Sequence, residues 1–318
     1  MTELITTLCR GHEVQLLWQP ELETIPDRIA EGFVPIEMAE GTKSFVDFRC
    51  LDHHNDYSHL PSACVTALRF YGTLGADRPA RLMANHTDAD CVLTGVTLLG
   101  LLPRDLLEKL NPEVGVLDTD PLSADFRTLH YGDGIRLWKA GMTSIRRSGW
   151  SWLYGMQLCL DLFDHFTYYY KEAIDELEKK EKERIQQALR DYESAVTGPS
   201  GKVLLVAPST VKGHDVQFFR QEAFPATSLE GWRHWCIVSH VQKAGNVMLA
   251  CPNKEVAERA FGSGGLKNVF PRLPAVEEKE WGGREAVGGS PRGVVVPAEL
   301  LGSVLATLED SLLTKEVV

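Results

Sequence analysis

The stretch from Arg81 to Pro103 constrains this chain more than any other. A short apolar run, Leu82-Met83-Ala84, gives way to Asn85-His86-Thr87-Asp88-Ala89-Asp90, and a nearly all-apolar segment then continues to Pro103. That order predicts a buried strand, a polar turn and a buried helix. The turn between a strand's carboxyl end and a helix N-terminus is where open α/β sheets place their ligands. An aspartate just before a helix has a plain use, because its side chain accepts bonds from the free N–H groups of the first turn. His86, Asp88 and Asp90 at alternate positions go beyond capping, and predict a metal or phosphate site. Oxygen donors with one imidazole suit Mn²⁺, Mg²⁺ or Fe²⁺ better than structural zinc.

A second unit of the same form precedes it. Ser44 to Leu51 reads as a strand, ends in Asp52-His53-His54-Asn55, and leads through Pro61 into the helical segment SACVTALRFYG, which stops at Gly72. Two βα units predict a mostly parallel sheet whose polar clusters share one edge. His53 and His54 point to opposite sides if the backbone is extended, so at most one joins the same ion as Asp52. Earlier strands are expected at Val14–Trp18 and Phe33–Glu37, with a short helix near Asp27–Glu31. Glu113–Asp120 reads as a further strand ending in acids, which brings Asp118 to the same edge. Asp133, in the expected turn Tyr131–Gly134, is the next candidate; Asp120 and Asp125 read as turn or cap residues.

Arg146, Arg147, Trp150 and Trp152 form a small basic and aromatic group that reads as a helix-packing corner, with phosphate gripping or base stacking as the functional alternative. A long helix is expected over 158–195, apolar at first and then heavily charged with a narrow apolar seam. Thr197-Gly198-Pro199-Ser200-Gly201 breaks it. The domain plan is therefore a metal-binding α/β domain over 1–157, a connecting helix over 158–198, and a smaller α/β substrate-binding domain over 199–318. In the last, strands are expected at Lys202–Ala207, Trp235–Ser239 and Asn246–Ala250, the latter two joined by a hairpin through Gly245. A short helix is expected at Lys254–Phe261 and a closing amphipathic helix at 297–313. Between them, 280–293 holds five glycines with Arg284 and Arg292. Gly288 and Gly289 would let backbone N–H groups approach an anion, and the two arginines would add charge.

Composition bounds the partners. A formal net charge of -11 argues against non-specific binding to duplex DNA or acidic membranes, but allows a small phosphorylated substrate held by a metal. Seven cysteines with no CxxC pair, and no secretory leader pattern in MTELITTLCRGHEVQ, predict reduced thiols in a cytoplasmic protein. No apolar run reaches the length of a membrane span.

His86-Thr87-Asp88-Ala89-Asp90 resembles the HxDxD motif of the DHH phosphoesterase superfamily, and Asp52-His53-His54-Asn55 resembles its name-giving motif. That superfamily includes RecJ-like exonucleases, oligoribonucleases, family II pyrophosphatases and MYG1-type nucleases. Its plan of an α/β metal domain, a long helix and a smaller domain with a GG-containing loop covers most of this chain. The order departs from the family, since here the DHH motif comes first. The resemblance implies His86, Asp88, Asp90 and Asp118 as ligands of two Mn²⁺ or Mg²⁺ ions, with Asp52, His53 and His54 in catalysis. It also implies Arg284, Gly288, Gly289 and Arg292 as the substrate-binding group. The implied activity is hydrolysis of a small phosphodiester, a short single-stranded oligonucleotide or a pyrophosphate-like substrate; separately, the long charged helix reads as a connector or as the arm of a homodimer. The competing expectations are a metal-dependent hydrolase of a non-phosphate metabolite and a non-catalytic nucleotide-binding protein on the same scaffold.

Overall fold

A computed structural model of the chain describes residues 2–40, 43–44, 51–54, 59–74, 79–119, 126–143, 148–164, 171–210, 234–291 and 293–313. The expected strand at 44–51 lies almost wholly outside these residues, as do Asn55, Asp120, Asp125, Arg146, Arg147 and Arg292. The architecture is α/β, and among the described residues the chain divides into two compact units between Leu177 and Glu178.

The first unit begins with a hairpin of β1 (Glu3–Cys9) and β2 (His12–Trp18). Arg10 and Gly11 both have positive φ, at 49° and 81°, the conformation that a two-residue turn needs to match strand twist. The sequence reading placed a strand at Val14–Trp18 but gave no partner on its N-terminal side. β1 shows only weak alternation, and Leu4 and Leu8 remain exposed on it. After helix α1 (Ile25–Ala30) come β3 (Val34–Pro35) and a small ribbon of β4 (Ala39–Glu40) and β5 (Lys43–Ser44). Helix α2 (Ala63–Ala67) precedes β6 (Ala80–Ala84), which enters the sheet between β2 and β3 and runs parallel to both.

Helix α3 (Ala89–Leu99) leaves the polar turn after β6 and is buried along its whole length. It stops at Gly100, whose φ of 64° is the left-handed cap conformation. Helix α4 covers Arg104–Thr119, so the expected strand at Glu113–Asp120 is a correction. Leu107, Leu110, Val114 and Leu117 are buried at helical spacing, and that stripe outweighs the short alternation after Pro112. Pro112 is tolerated because it sits on the exposed side, where water can serve the carbonyl it leaves unbonded. The expected turn at Tyr131–Gly134 is likewise the start of helix α5 (Gly132–Thr143).

The expected helix over 158–195 is described as α6 (Gly149–Asp164) and α7 (Lys171–Glu193). Trp152 is a fully buried residue of α6, while Trp150 is exposed on it. Gly95 allows α3 and α6 to meet closely, since a Cβ there would stand 2.5 Å from the Trp152 ring.

The second unit holds one sheet in the order β11-β12-β10-β9-β8-β7, built from β7 (Val196–Thr197), β8 (Val203–Ser209), β9 (Cys236–Val241), β10 (Val247–Ala250), β11 (Gly282–Gly283) and β12 (Val287–Gly289). β8 and β9 are parallel and the other pairs antiparallel. Helices α8 (Lys254–Phe261) and α9 (Leu301–Ser311) share a core with Val203, Leu205, Val238 and Leu249. Leu204, Val206 and Ile237 point the other way, onto Ala188 and Ile185 of α7. The six cysteines among the described residues are buried and unbridged. No helix among them is long and apolar enough to cross a membrane.

Candidate metal centre

The carboxyl ends of β3 and β6 lie side by side, because Val34 pairs with Leu82 and Pro35 with Met83. Two residues past β3 stands Glu37, and two past β6 stands His86. The Glu37 N–H donates to the Leu51 carbonyl at 2.9 Å, which fixes Asp52-His53-His54 beside the same edge. Residues 52–54 and 86–90 therefore come together, through the parallel β3–β6 pair on one side and the Glu37–Leu51 hydrogen bond on the other; the strand expected to carry 52–54 lies outside the described residues.

Glu37 was not anticipated from the sequence. It is 1% exposed and directs one carboxylate oxygen to each of two imidazoles, with Oε1 2.6 Å from His53 Nε2 and Oε2 3.2 Å from His86 Nε2. Its φ of 46° is uncommon for a residue with a side chain, and such backbone is kept where surrounding structure enforces it. The available signal was one carboxylate in the apolar run Val34-Pro35-Ile36-Glu37-Met38, since a buried acid needs a specific partner.

His53 is fully buried, and three carboxylate oxygens surround its Nε2: Glu37 Oε1 at 2.6 Å, Asp118 Oδ2 at 3.1 Å and Asp90 Oδ2 at 3.4 Å. A single ring nitrogen carries at most one hydrogen, so a proton cannot serve all three, whereas a divalent cation among them would. The donor atoms of Glu37, His53, Asp90 and Asp118 lie within 4.8 Å of one another. That is close to the roughly 4 Å between opposite ligands of a small ion bound at 2.0–2.1 Å. Asp118 arrives from the last turn of α4. Gly115, one turn earlier, lets that helix press onto α2, where a Cβ would stand 2.5 Å from Ser62 Oγ.

The two aspartates of the central turn have structural work as well as a place in the cluster. Asp88 is the N-cap of α3, with Oδ1 accepting from the Cys91 N–H at 2.9 Å, and its Oδ2 lies 3.3 Å from His86 Nε2. Asp90 accepts from the Ala63 and Cys64 N–H groups at 2.9 and 2.8 Å, holding the N-terminus of α2 against the site. His86 Nδ1 is 2.8 Å from Asn85 Oδ1. If that nitrogen donates, Nε2 presents a lone pair to Glu37 and Asp88, an arrangement that a cation or a second proton must relieve.

The His54 ring meets both other imidazoles edge to face, with centroids 5.0 Å from His53 and 5.9 Å from His86. Asp52 Oδ1 binds both the His54 backbone N–H, at 3.0 Å, and ring Nδ1, at 2.8 Å. A ring nitrogen of His54 also lies within 4.8 Å of donor atoms of Glu37 and His53. Buried Glu37, His53 and Asp90 form the floor of the cluster; His54, Asp118 and Asp88, at 28%, 28% and 42% side-chain exposure, form its rim.

Charge follows the same pattern. Burial opposes ionisation of Glu37, yet the two imidazoles hold it well below the usual carboxylate range. Burial likewise opposes charge on His53, but Asp118 and Glu37 lift it to about 11. Asp88 and Glu37 lift His86 to about 10 against its own burial. Burial, with Glu37 and Asp118 nearby, pushes Asp90 well up. Cys91 Sγ is near Glu37 and His86, but burial keeps it a thiol, and it accepts from Trp152 Nε1 at 3.4 Å, so it fits packing better than ligation. The donor set fits a hard divalent cation.

The other candidates lie elsewhere. Asp133 is exposed and pairs with Arg136 at 3.2 Å. Arg284, Gly288 and Gly289 belong to the second unit. Gly288 and Gly289 are strand residues of β12 paired with β10, not an open loop, and a Cβ at 288 would stand 2.3 Å from the Phe270 ring. Their lack of a side chain serves sheet packing.

No protein-family model matches the sequence, and comparison with curated proteins and with solved structures gives no significant match. What the site does has therefore to be read from its own atoms.

Proposed function

We propose that this protein is a divalent-metal-dependent phosphoesterase acting on a small phosphodiester, a short single-stranded oligonucleotide or a pyrophosphate-like substrate. The observation that carries the reading is Glu37, whose two oxygens face different imidazoles with Asp88 on one side and Asp90 and Asp118 on the other. One carboxylate between two donor sets suits a pair of cations sharing it. Glu37, His53, Asp90 and Asp118 would hold one Mn²⁺ or Mg²⁺, and Glu37, His86 and Asp88 the other. The likeness of the two polar turns to DHH phosphoesterase motifs agrees with this assignment.

Bound cations in such a site supply Lewis-acid polarisation of a phosphoryl oxygen and a water acidic enough to attack at neutral pH. The chain's own groups do the rest. Asp52 fixes the His54 ring by accepting from Nδ1, and Nε2 is assigned to the substrate side. There it takes a proton from the attacking water or gives one to the leaving oxygen. His53 is enclosed in the floor, and its part is to bind metal and not substrate.

The test is hydrolysis of a chromogenic phosphodiester, a short oligonucleotide and pyrophosphate, with manganese, with magnesium and with chelator. Asp88→Asn is the decisive variant, because asparagine caps a helix as well as aspartate while removing the charge. Turnover should require the metal and disappear in Asp88→Asn; metal-independent turnover, or turnover unchanged by the substitution, would refute the proposal.

A further inference from the structure

Strand β1 lies at the edge of its sheet, with β2 on one side and, among the described residues, no strand on the other. Its register with β2 runs unbroken from Glu3 opposite Trp18 to Cys9 opposite His12. The two-residue turn at Arg10-Gly11 closes on a hydrogen-bonded pair, and such pairs alternate with non-bonded ones along an antiparallel ladder. Glu3, Ile5, Thr7 and Cys9 therefore exchange bonds with β2, while Leu4, Thr6 and Leu8 aim their backbone N–H and C=O groups at the open edge. The side chains of the same three residues are exposed, Leu4 by 57% and Leu8 by 72%. Edge strands are ordinarily guarded by lysine, proline, a bulge or short length. β1 is seven residues long, ELITTLC, with no bulge, no proline and no lysine.

This edge is complementary to itself. Rotation about a two-fold axis at Thr6 sets Thr6 against its own copy, Leu4 against Leu8, and Leu8 against Leu4. Each pairing joins residues whose backbone groups point outward, so the ladder closes with those groups satisfied and the leucines of both copies on one face. Helix α6 packs on the other face of β1, where a Cβ on Gly149 would stand 2.5 Å from Ile5 Cδ1. Trp150 and Tyr154, one turn apart on α6, are 58% and 44% exposed, and the same axis brings the two α6 helices toward each other. A strand of this length spans about 24 Å, and a sheet with its helix layer is about 20 Å deep. The face therefore amounts to roughly 500 Å² per copy, near the lower limit for a specific interface.

We propose that β1 is a homodimer interface, pairing antiparallel with β1 of a second copy about a two-fold axis at Thr6. The assignment is independent of the metal-dependent reading. An interface of this size should dissociate in the micromolar range.

Sedimentation velocity of the full chain from about 1 to 100 µM tests it, and should show a reversible monomer–dimer equilibrium. Thr6→Lys and Thr6→Glu each set like charges face to face across the axis, and each should weaken the dimer at least about 10-fold. Mixed in equal amounts, the two variants oppose lysine to glutamate and should restore a dimer. Thr6 is exposed, so both should keep the wild-type Tm. Leu8→Lys replaces any Thr6 variant that does not fold, with the same weakening expected. Wild type that stays monomeric throughout overturns the proposal and leaves the edge to water or to another protein's strand. A dimer that these substitutions leave intact overturns it by placing the contact elsewhere. Failure of the mixture to restore the dimer overturns the register about Thr6.

Discussion

Replacing Glu37 by glutamine tests the centre at its middle, because the change keeps shape and removes one charge. In the metal-free protein its effect on stability should be small. Glu37 stabilises protonated His53 and His86, but it also repels Asp88 on the rim and buried Asp90, and these contributions oppose one another. With metal the balance is one-sided, since the shared ligand is lost. At manganese 100-fold above the wild-type Kd, binding stabilises the folded state by about 2.7 kcal/mol. A 100-fold weaker site at the same concentration gives about 0.4 kcal/mol. For a domain of this size each kcal/mol moves Tm by about 2–4 °C, so manganese should raise wild-type Tm by roughly 5–11 °C and Glu37→Gln by roughly 1–2 °C. Thermal denaturation with and without manganese, after chelator treatment, reads both numbers. An equal manganese-induced rise in the two proteins would refute the bridging assignment and reduce the cluster to a hydrogen-bonded network.

Asp118→Asn should weaken manganese binding at least 10- to 100-fold, while Asp133→Asn, on the exposed side of α5, should leave it unchanged; metal titration compares them, and equal losses would count against the geometry. The pH dependence has opposite signs with and without metal. His53 and His86 are raised to about 11 and about 10, so their contribution to metal-free stability is full below pH ~6.5 and is lost as pH rises toward those values. Metal must displace those protons, so affinity should rise by about tenfold per pH unit for each one released, and the manganese-induced Tm increment should grow from pH 6 to 8. A constant increment would show that no proton is displaced. Gly115→Ala places a Cβ 2.5 Å from Ser62 Oγ and 3.0 Å from Val65 Cγ2. It should destabilise by about 1–3 kcal/mol in chemical denaturation and weaken manganese binding by moving Asp118; unchanged metal affinity would separate α4 packing from the site.

Part of this site could be read along the chain and part could not. Asp52-His53-His54 and His86-Thr87-Asp88-Ala89-Asp90 each stand, by sequence pattern, between a strand-like run and a helical one, so local pattern alone marked them as site candidates. The same logic recognised the capping role of Asp88, which the structure combines with its position facing His86. Asp118 was expected at the right place on the wrong element, because four residues of alternation after Pro112 resembled a strand while the stripe Leu107, Leu110, Val114 and Leu117 reached back across the proline. In the glycine-rich stretch, composition alone does not distinguish a backbone that approaches a ligand from one that approaches Phe270.

The sequence by itself determined the α/β class and marked the two polar turns with their oxygen-rich donor sets, because strand, turn and helix signals act between near neighbours in the chain. Only the tertiary structure placed Glu37 between two histidines and turned the Asp90 carboxylate onto the α2 N-terminus. Those relations depend on β3 and β6 pairing in parallel and on α4 packing against α2, contacts between residues far apart in the chain. Burial is what gives them their chemistry. An acid exposed to water is a solubilising charge, and the same acid enclosed with two imidazoles is held ionised and oriented, as a metal site would require.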